Sequence, residues 1–258
     1  MKVVLLAGGL GTRLREETDV KPKPMIEVGN HPILWHIMKT YASYGHTDFV
    51  VCSGYKGEVI KNWFANFRIL NSDFTVSFNE FVSLNFHSEI AENGWNVTIS
   101  DTGAETMTGG RIKRVQKYVG NEAFLCTYGD GVADINIENL IQFHKSHGKI
   151  ATLTTVKPVS RFGVLDVGAN NQVEAFKEKP QAEGFINGGF FVFEPEIFDY
   201  LDENCVLEQD PLRKLAEDGE LMAFNHDGFW QPMDTYRELT ILNELWKSGS
   251  APWKVWKE

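Results

Sequence analysis

The sequence predicts an α/β fold, a doubly wound and mostly parallel sheet with helices on both faces. Three observations carry that reading. Strand-like runs alternate with amphipathic runs of helical period through residue 156. The first run, residues 2–7, is apolar from Val3 onward, as a central parallel strand covered on both faces must be. A glycine-rich turn, Gly8-Gly9-Leu10-Gly11, follows it at once, at the strand end where open α/β sheets form their ligand crevice.

Each element follows from its own pattern. Residues 32–44 carry Ile33, Leu34, Ile37, Met38 and Tyr41 at helical spacing and stop at Gly45, a natural helix end. Residues 48–53 read as the next strand, 58–67 as a short helix, 110–119 as a helix with Ile112, Val115 and Val119 inward, and 122–127 as a strand. A helix over 137–147 ends at Gly148, and a strand covers 150–156. From Phe74 to Ile99 the helical period disappears and β-rich pieces (74–78, 95–99) replace it, which predicts an insertion over about 68–108. The second half is mixed: short strands at 162–167, 173–178 and 188–193 precede helices at 196–201 and 210–217. A C-terminal helix from 235 to 246 runs into a tail, to 258, whose Trp253 and Trp256 suggest an exposed subunit contact. No linker or repeat divides the chain, so 1–258 is expected to form a single domain.

Composition narrows the partners. With 43% hydrophobic and 23% charged residues, a packed core is available and disordered or coiled-coil classes are excluded. A net charge of -10 supplies no field to gather a nucleic-acid backbone, and no apolar run is long enough to span a bilayer or form a signal-peptide core. A cytoplasmic protein is expected, binding neither nucleic acid nor membrane. Cys52, Cys126 and Cys205 are too scattered for a disulfide framework or a zinc site and read as reduced core thiols. His144 and His147, three apart on one helix without a third ligand, read as a solvated face. Trp63, Phe64 and Phe67 read as core or interface.

In an acidic chain, an anionic ligand needs locally placed cations. The turn offers backbone amides free of side-chain bulk together with Arg13. It is neither a dinucleotide fingerprint, which would need glycine where Leu14 stands, nor a P-loop. Ten residues on, Lys21-Pro22-Lys23-Pro24-Met25 holds lysines on a segment that two prolines stiffen. Taken singly, the turn also reads as a bare tight turn and the lysine run as a solvated loop. Asp130, between Gly129 and Gly131, also suits an Asx-type turn, and Asp234 suits a helix N-cap.

Together, Gly8-Gly9-x-Gly11-Thr12-Arg13-Leu14 and Pro22-Lys23-Pro24-Met25 resemble the signature of the sugar-phosphate nucleotidylyltransferases, the nucleotide-sugar pyrophosphorylases. Tyr128-Gly129-Asp130-Gly131, Glu178-Lys179-Pro180, Ile186-Asn187-Gly188-Gly189-Phe190 and Trp230-Gln231-Pro232-Met233-Asp234-Thr235 follow in that family's order, so the resemblance covers essentially the whole chain. It implies a Rossmann-like fold with a smaller sugar-binding portion, and Mg2+-dependent attack of a sugar 1-phosphate on the α-phosphorus of a nucleoside triphosphate, with pyrophosphate released. It further implies Asp130 and Asp234 as the metal's carboxylates and Arg13, Lys23 and Lys179 as catalytic cations. Arg13 would fork around the β and γ phosphates, Lys23 would meet the α-phosphate, and Lys179 the sugar phosphate. Leu6, Ala7, Gly8, Gly9, Gly11, Thr12, Thr106, Arg111 and Gly129 would complete the nucleotide site, and Glu178, Asn187 and Gly188 the sugar-phosphate site.

Met107-Thr108-Gly109-Gly110-Arg111 and the ending Ala251-Pro252-Trp253-Lys254 narrow the resemblance to members using CTP and glucose 1-phosphate, which would yield CDP-glucose for deoxysugar or O-antigen polysaccharide synthesis. Backbone groups at 6–9 and 106–111 would read the base, and such readout leaves no mark in a sequence. UTP- or dTTP-dependent transfer stays open as an alternative, as does a non-catalytic nucleotide-sugar-binding regulator. The family likeness also implies a homo-oligomer, a hexamer being one form, with the insertion and the tail as contacts.

Overall fold

A computed structural model describes residues 1–11, 14–79, 81–158, 164–167, 169–177 and 184–257. In chain order, β1 (Val3–Leu6), α1 (Arg15–Thr18), the short pair β2 (Glu27–Val28) and β3 (His31–Pro32), α2 (Ile33–Ser43) and β4 (Asp48–Ser53) come first. Then follow α3 (Gly57–Ala65), α4 (Phe67–Asn71), β5 (Phe74–Phe78), β6 (Val82–Phe86), β7 (Asn96–Asp101), α5 (Thr108–Arg114), α6 (Gln116–Val119) and β8 (Phe124–Tyr128). The rest comprises β9 (Gly131–Ala133), α7 (Ile137–His147), β10 (Ala151–Val156), β11 (Val164–Val167), β12 (Val173–Lys177) and β13 (Ile186–Phe193). It closes with α8 (Asp210–Glu217), β14 (Leu221–Asn225), β15 (Trp230–Pro232) and α9 (Tyr236–Lys247).

The main sheet has seven strands in the order β14-β10-β13-β8-β1-β4-β7. Only β13 runs against its neighbours there, so the sheet is mostly parallel, as expected. β1 is an interior strand between β8 and β4, and alternating side chains of residues 3–7 enter two cores: Val3, Leu5 and Ala7 on one face, Val4 and Leu6 on the other. The first face is covered by α2, α7 and α9 through residues such as Leu34, Leu140 and Leu242, the second by α5, α6 and α8 through Ile112, Val119 and Leu215. Each such buried aliphatic side chain contributes roughly 1.5–3 kcal/mol.

Helix ends follow local chemistry. The side chain of Asn136 accepts the backbone N–H of Asn139 at 2.9 Å to open α7, and Gly148 closes it in the left-handed region. The expected helix over 110–119 is two short ones broken at Val115, and 58–67 is likewise split at Asn66. Within the expected insertion, β5 and β6 pair as an antiparallel hairpin, while β7 joins the main sheet parallel to β4.

Two expectations are corrected. Trp253 is fully buried rather than an exposed subunit contact: it stacks on Phe229 at 5.6 Å, and its Nε1–H donates to His36 Nδ1 at 3.3 Å. The tail lies in a groove walled by Trp246, His36 and Phe229, and the large aromatic surface outweighs the polar residues beside it. His144 is not on a solvated face; it is 2% exposed, with Thr152 Oγ1 at 2.8 Å and Glu194 Oε1 at 3.2 Å. Burial beside the sheet pulls its pKa below the ordinary value.

Candidate active site

The carboxyl ends of β1, β4 and β8 deliver the site. Beyond β1 the chain keeps one more sheet bond, Ala7 N–H to Cys52 carbonyl at 3.0 Å, and then turns through Gly8. Glycine is required there because a Cβ would lie 2.0 Å from Arg111 Nη1. Arg111 is 4% exposed, and its Nη1 and Nη2 donate to the carbonyls of Gly8, Ser53, Gly103 and Ala104 and to Thr102 Oγ1, at 2.7–3.3 Å. Arg111 therefore reaches the cavity wall mainly as a tie across the ends of β1, β4 and β7. Its terminal nitrogens are bonded to the protein, and the residue lines the smaller cavity described below. The Ala7 side chain is buried in the core and lines neither cavity described below.

Lys23 stands in a single turn, Lys23–Met25, between Pro22 and Pro24. Its Nζ donates to Asp130 Oδ2 at 2.7 Å and to Asp234 Oδ1 at 2.5 Å. Residues 107 and 211 positions apart from it in sequence thus share one ammonium. A short ladder is responsible: β9 pairs antiparallel with β15, Gly131 opposite Pro232, and Met233 N–H donates to the Asp130 carbonyl at 2.8 Å. That register sets Asp234 beside Asp130. The N-cap of α9 is Thr235, in a capping box with Glu238, so the alternative reading of Asp234 as the cap does not hold. Burial lowers the pKa of Lys23, but the two carboxylates outweigh it and hold the group above its ordinary value.

Two cavities meet at this triad. The smaller, about 390 Å3, is lined by Leu6, Gly8, Gly9, Gly11, Thr106 and Arg111 together with Lys23. The larger, about 1020 Å3, is lined by Asn187, Gly188, Trp230, Gln231 and Arg237 among others. Tyr128, Asp130 and Asp234 line both. Gly129 lines neither; its N–H holds the Leu6 carbonyl at 3.0 Å, which sets Asp130 at the mouth of β8. Thr12, Arg13, Glu178 and Lys179 lie outside the described residues.

The donor set suits a hard divalent cation. Two carboxylates already converge on one positive centre, the Lys23 ammonium, and the described residues contain no third acidic or imidazole ligand grouped with them. Two protein oxygens with the remainder from phosphate and water is the usual arrangement for magnesium.

Sequence reasoning quoted Tyr128, Thr108 and Trp230 in motifs without giving their side chains a role, and passed over Arg237 and Glu208 altogether. Trp230 Nε1–H donates to the Gly188 carbonyl at 2.8 Å and so shapes the larger cavity. Tyr128 and Trp230 stand inside motifs quoted above, but nothing in the 202–209 stretch marks Glu208.

A mostly parallel sheet with a polyanion-sized cleft at its strand ends, centred on an acid pair and a lysine, defines a phosphoryl-transfer class of protein, and the chain belongs to the nucleotidyl transferase family, whose description matches residues 2–240. Among its relatives, the glucose-1-phosphate cytidylyltransferase of Salmonella typhimurium is 57% identical over the full length of both chains. The mannose-1-phosphate guanyltransferase of Saccharomyces cerevisiae is 30% identical over 91% of this chain and 62% of its own. The fold is shared with a crystal structure of UDP-glucose pyrophosphorylase complexed with UDP-glucose, with a TM-score of 0.70 and 16% identity over 96% of this chain and 98% of that one. Among the described residues no helix is long and apolar enough to cross a membrane.

Proposed function

We propose that the protein transfers a cytidylyl group from CTP to glucose 1-phosphate, releasing pyrophosphate and giving CDP-glucose. The observation that carries this reading is the meeting of two unequal cavities at Asp130, Asp234 and Lys23, since a bisubstrate reaction between two anions needs adjoining pockets with charge control at their junction. Likeness to the Salmonella typhimurium enzyme, spread over the full length, supports the choice of base and sugar.

The nucleotide occupies the smaller cavity under the glycine turn, and the sugar phosphate the larger one beside Asn187 and Gly188. Lys23 pairs with both acids and offers the same charge to the α-phosphate as negative charge gathers there. Its proline-flanked turn fixes where that charge sits. By family likeness Arg13 would meet the β and γ phosphates, Thr12 would complete the nucleotide site, Lys179 would meet the sugar phosphate and Glu178 the sugar hydroxyls. A magnesium ion on Asp130 and Asp234 would withdraw charge from the phosphate oxygens. No covalent step on the protein is needed; holding the attacking oxygen in line with the α-phosphorus lowers the barrier by roughly 7–11 kcal/mol. The reading also places the protein in the cytoplasm, as one domain that assembles with copies of itself.

The test is pyrophosphate release by the purified protein with glucose 1-phosphate, magnesium and each of CTP, UTP, dTTP and GTP. Turnover chiefly with CTP is expected, and strong turnover with UTP but none with CTP overturns the reading.

A further inference from the structure

We propose that Glu208 is a positioning residue that orients Asn187 for the sugar phosphate, acting through the Tyr128 hydroxyl across the wall between the two cavities. The inference rests on the functional reading above for its substrate, but its geometry stands by itself. Glu208 Oε2 accepts the Thr108 hydroxyl at 2.6 Å, and Thr108 Oγ1 accepts the N–H of Leu207 at 2.9 Å. Its other oxygen accepts the Tyr128 hydroxyl. Asn187 Nδ2 then donates to that hydroxyl at 3.2 Å, while Asn187 Oδ1 accepts the N–H of Gly189 at 2.8 Å.

Each bond in this chain has one allowed direction. A carboxylate only accepts, so the single Tyr128 proton points at Glu208 and the oxygen turns its lone pairs to Asn187. Burial and the adjacent carboxylate both push the phenol's pKa up, so that proton stays in place. Asn187 must then give Nδ2 to Tyr128 and Oδ1 to Gly189, which leaves one N–H and one lone pair with fixed directions in the larger cavity. Without Glu208 the phenol proton is no longer held away from the amide: it is free to turn to solvent in the cavity or toward Asn187, whose oxygen can meet it only by flipping away from the Gly189 N–H. In either case the edge that Asn187 presents to the substrate is no longer fixed.

The fold brings Glu208 to this place through α5. A Cβ at Gly110 would sit 2.4 Å from the Glu203 carbonyl, and Gly110 N–H donates to the Cys205 carbonyl at 3.1 Å, so the glycine lets the 203–207 backbone dock on the helix. Thr108, two residues earlier, lines the smaller cavity and accepts the Leu207 N–H that holds the next stretch.

The test compares E208A, E208Q and Y128F by steady-state kinetics in both substrates. E208A should raise KM for glucose 1-phosphate about tenfold or more, with KM for CTP and kcat changed less than about twofold. E208Q keeps an oxygen for the Tyr128 proton and should restore the wild-type value. In the Y128F background, E208A should add nothing further. If Glu208 acted only as a negative charge near an anionic substrate, E208A and E208Q would both lower that KM, which overturns the proposal, as does an unchanged KM. The relay is also read without substrate. In 15N–1H spectra the side-chain amide of Asn187, identified by its loss in N187A, should shift in E208A and return in E208Q, and an unmoved amide contradicts the proposal. A wild-type protein that releases no pyrophosphate from CTP and glucose 1-phosphate removes the functional reading alone, and the spectra then decide the relay.

Discussion

His36 illustrates how a single residue can fasten a distant segment. Its Nε2 lies 2.8 Å from the Val28 carbonyl, which can only accept, so Nε2 carries the proton and Nδ1 is left to accept from Trp253. Protonating Nδ1 would set two N–H groups against each other. Burial accordingly pushes the imidazole down to about 4, against the pull of the Val28 bond. The unfolded chain takes up that proton near 6.5, so the stabilisation is complete above that pH and is lost as pH falls from 6.5 through 4. H36Q retains a donor and an acceptor but does not titrate. Between pH 7 and 4.5, wild type should lose about 2–3 kcal/mol more unfolding free energy than H36Q in urea titrations, and parallel losses would refute the assignment. Nothing in the sequence around His36 advertised this role, because its partner Trp253 is 217 residues away.

At the scale of elements, what could be read from sequence was whatever depends on neighbours along the chain. The apolar run of β1, the helical stripe of α2, the Asn136 and Gly148 ends of α7 and the glycine turn are local and were legible. The reversed direction of β13 was not, because strand direction is set by connections and partner edges rather than by composition. The split of α5 from α6 at Val115 was also hidden, since the apolar spacing continues across it. The candidate site divides the same way. Lys23, Asp130 and Asp234 stood out through motifs, yet their convergence depends on the β9–β15 ladder, whose three-residue strands are too short to show a period. The capping box at Thr235 completes that arrangement by fixing the start of α9, a contribution of about 1 kcal/mol that also keeps Asp234 off the helix end.

For the whole molecule, charge and exposed surface point in different directions. The chain is acidic overall, yet its cleft gathers a buried lysine on two acids, so anion binding is a local property set against the global field. Away from the cleft, the β5–β6 hairpin exposes Phe78, Phe81 and Val82, each more than 65% accessible, a surface that suits a second copy of the chain. Sedimentation velocity should therefore find a species heavier than the 29.2 kDa chain, reduced in size by a Phe78→Ser and Phe81→Ser pair, and a wild-type monomer would remove the assembly from this account. The central claim, that Asp130 and Asp234 act as one unit at the junction of two pockets, is tested most directly by pyrophosphate release from D130N, D234N and the double variant at saturating magnesium, with folding checked by circular dichroism. Each single change should cost about 100-fold or more, and the double no more than the worse single, as members of one unit do. Near-normal turnover in either single variant, or a double loss equal to the product of the two, would contradict it.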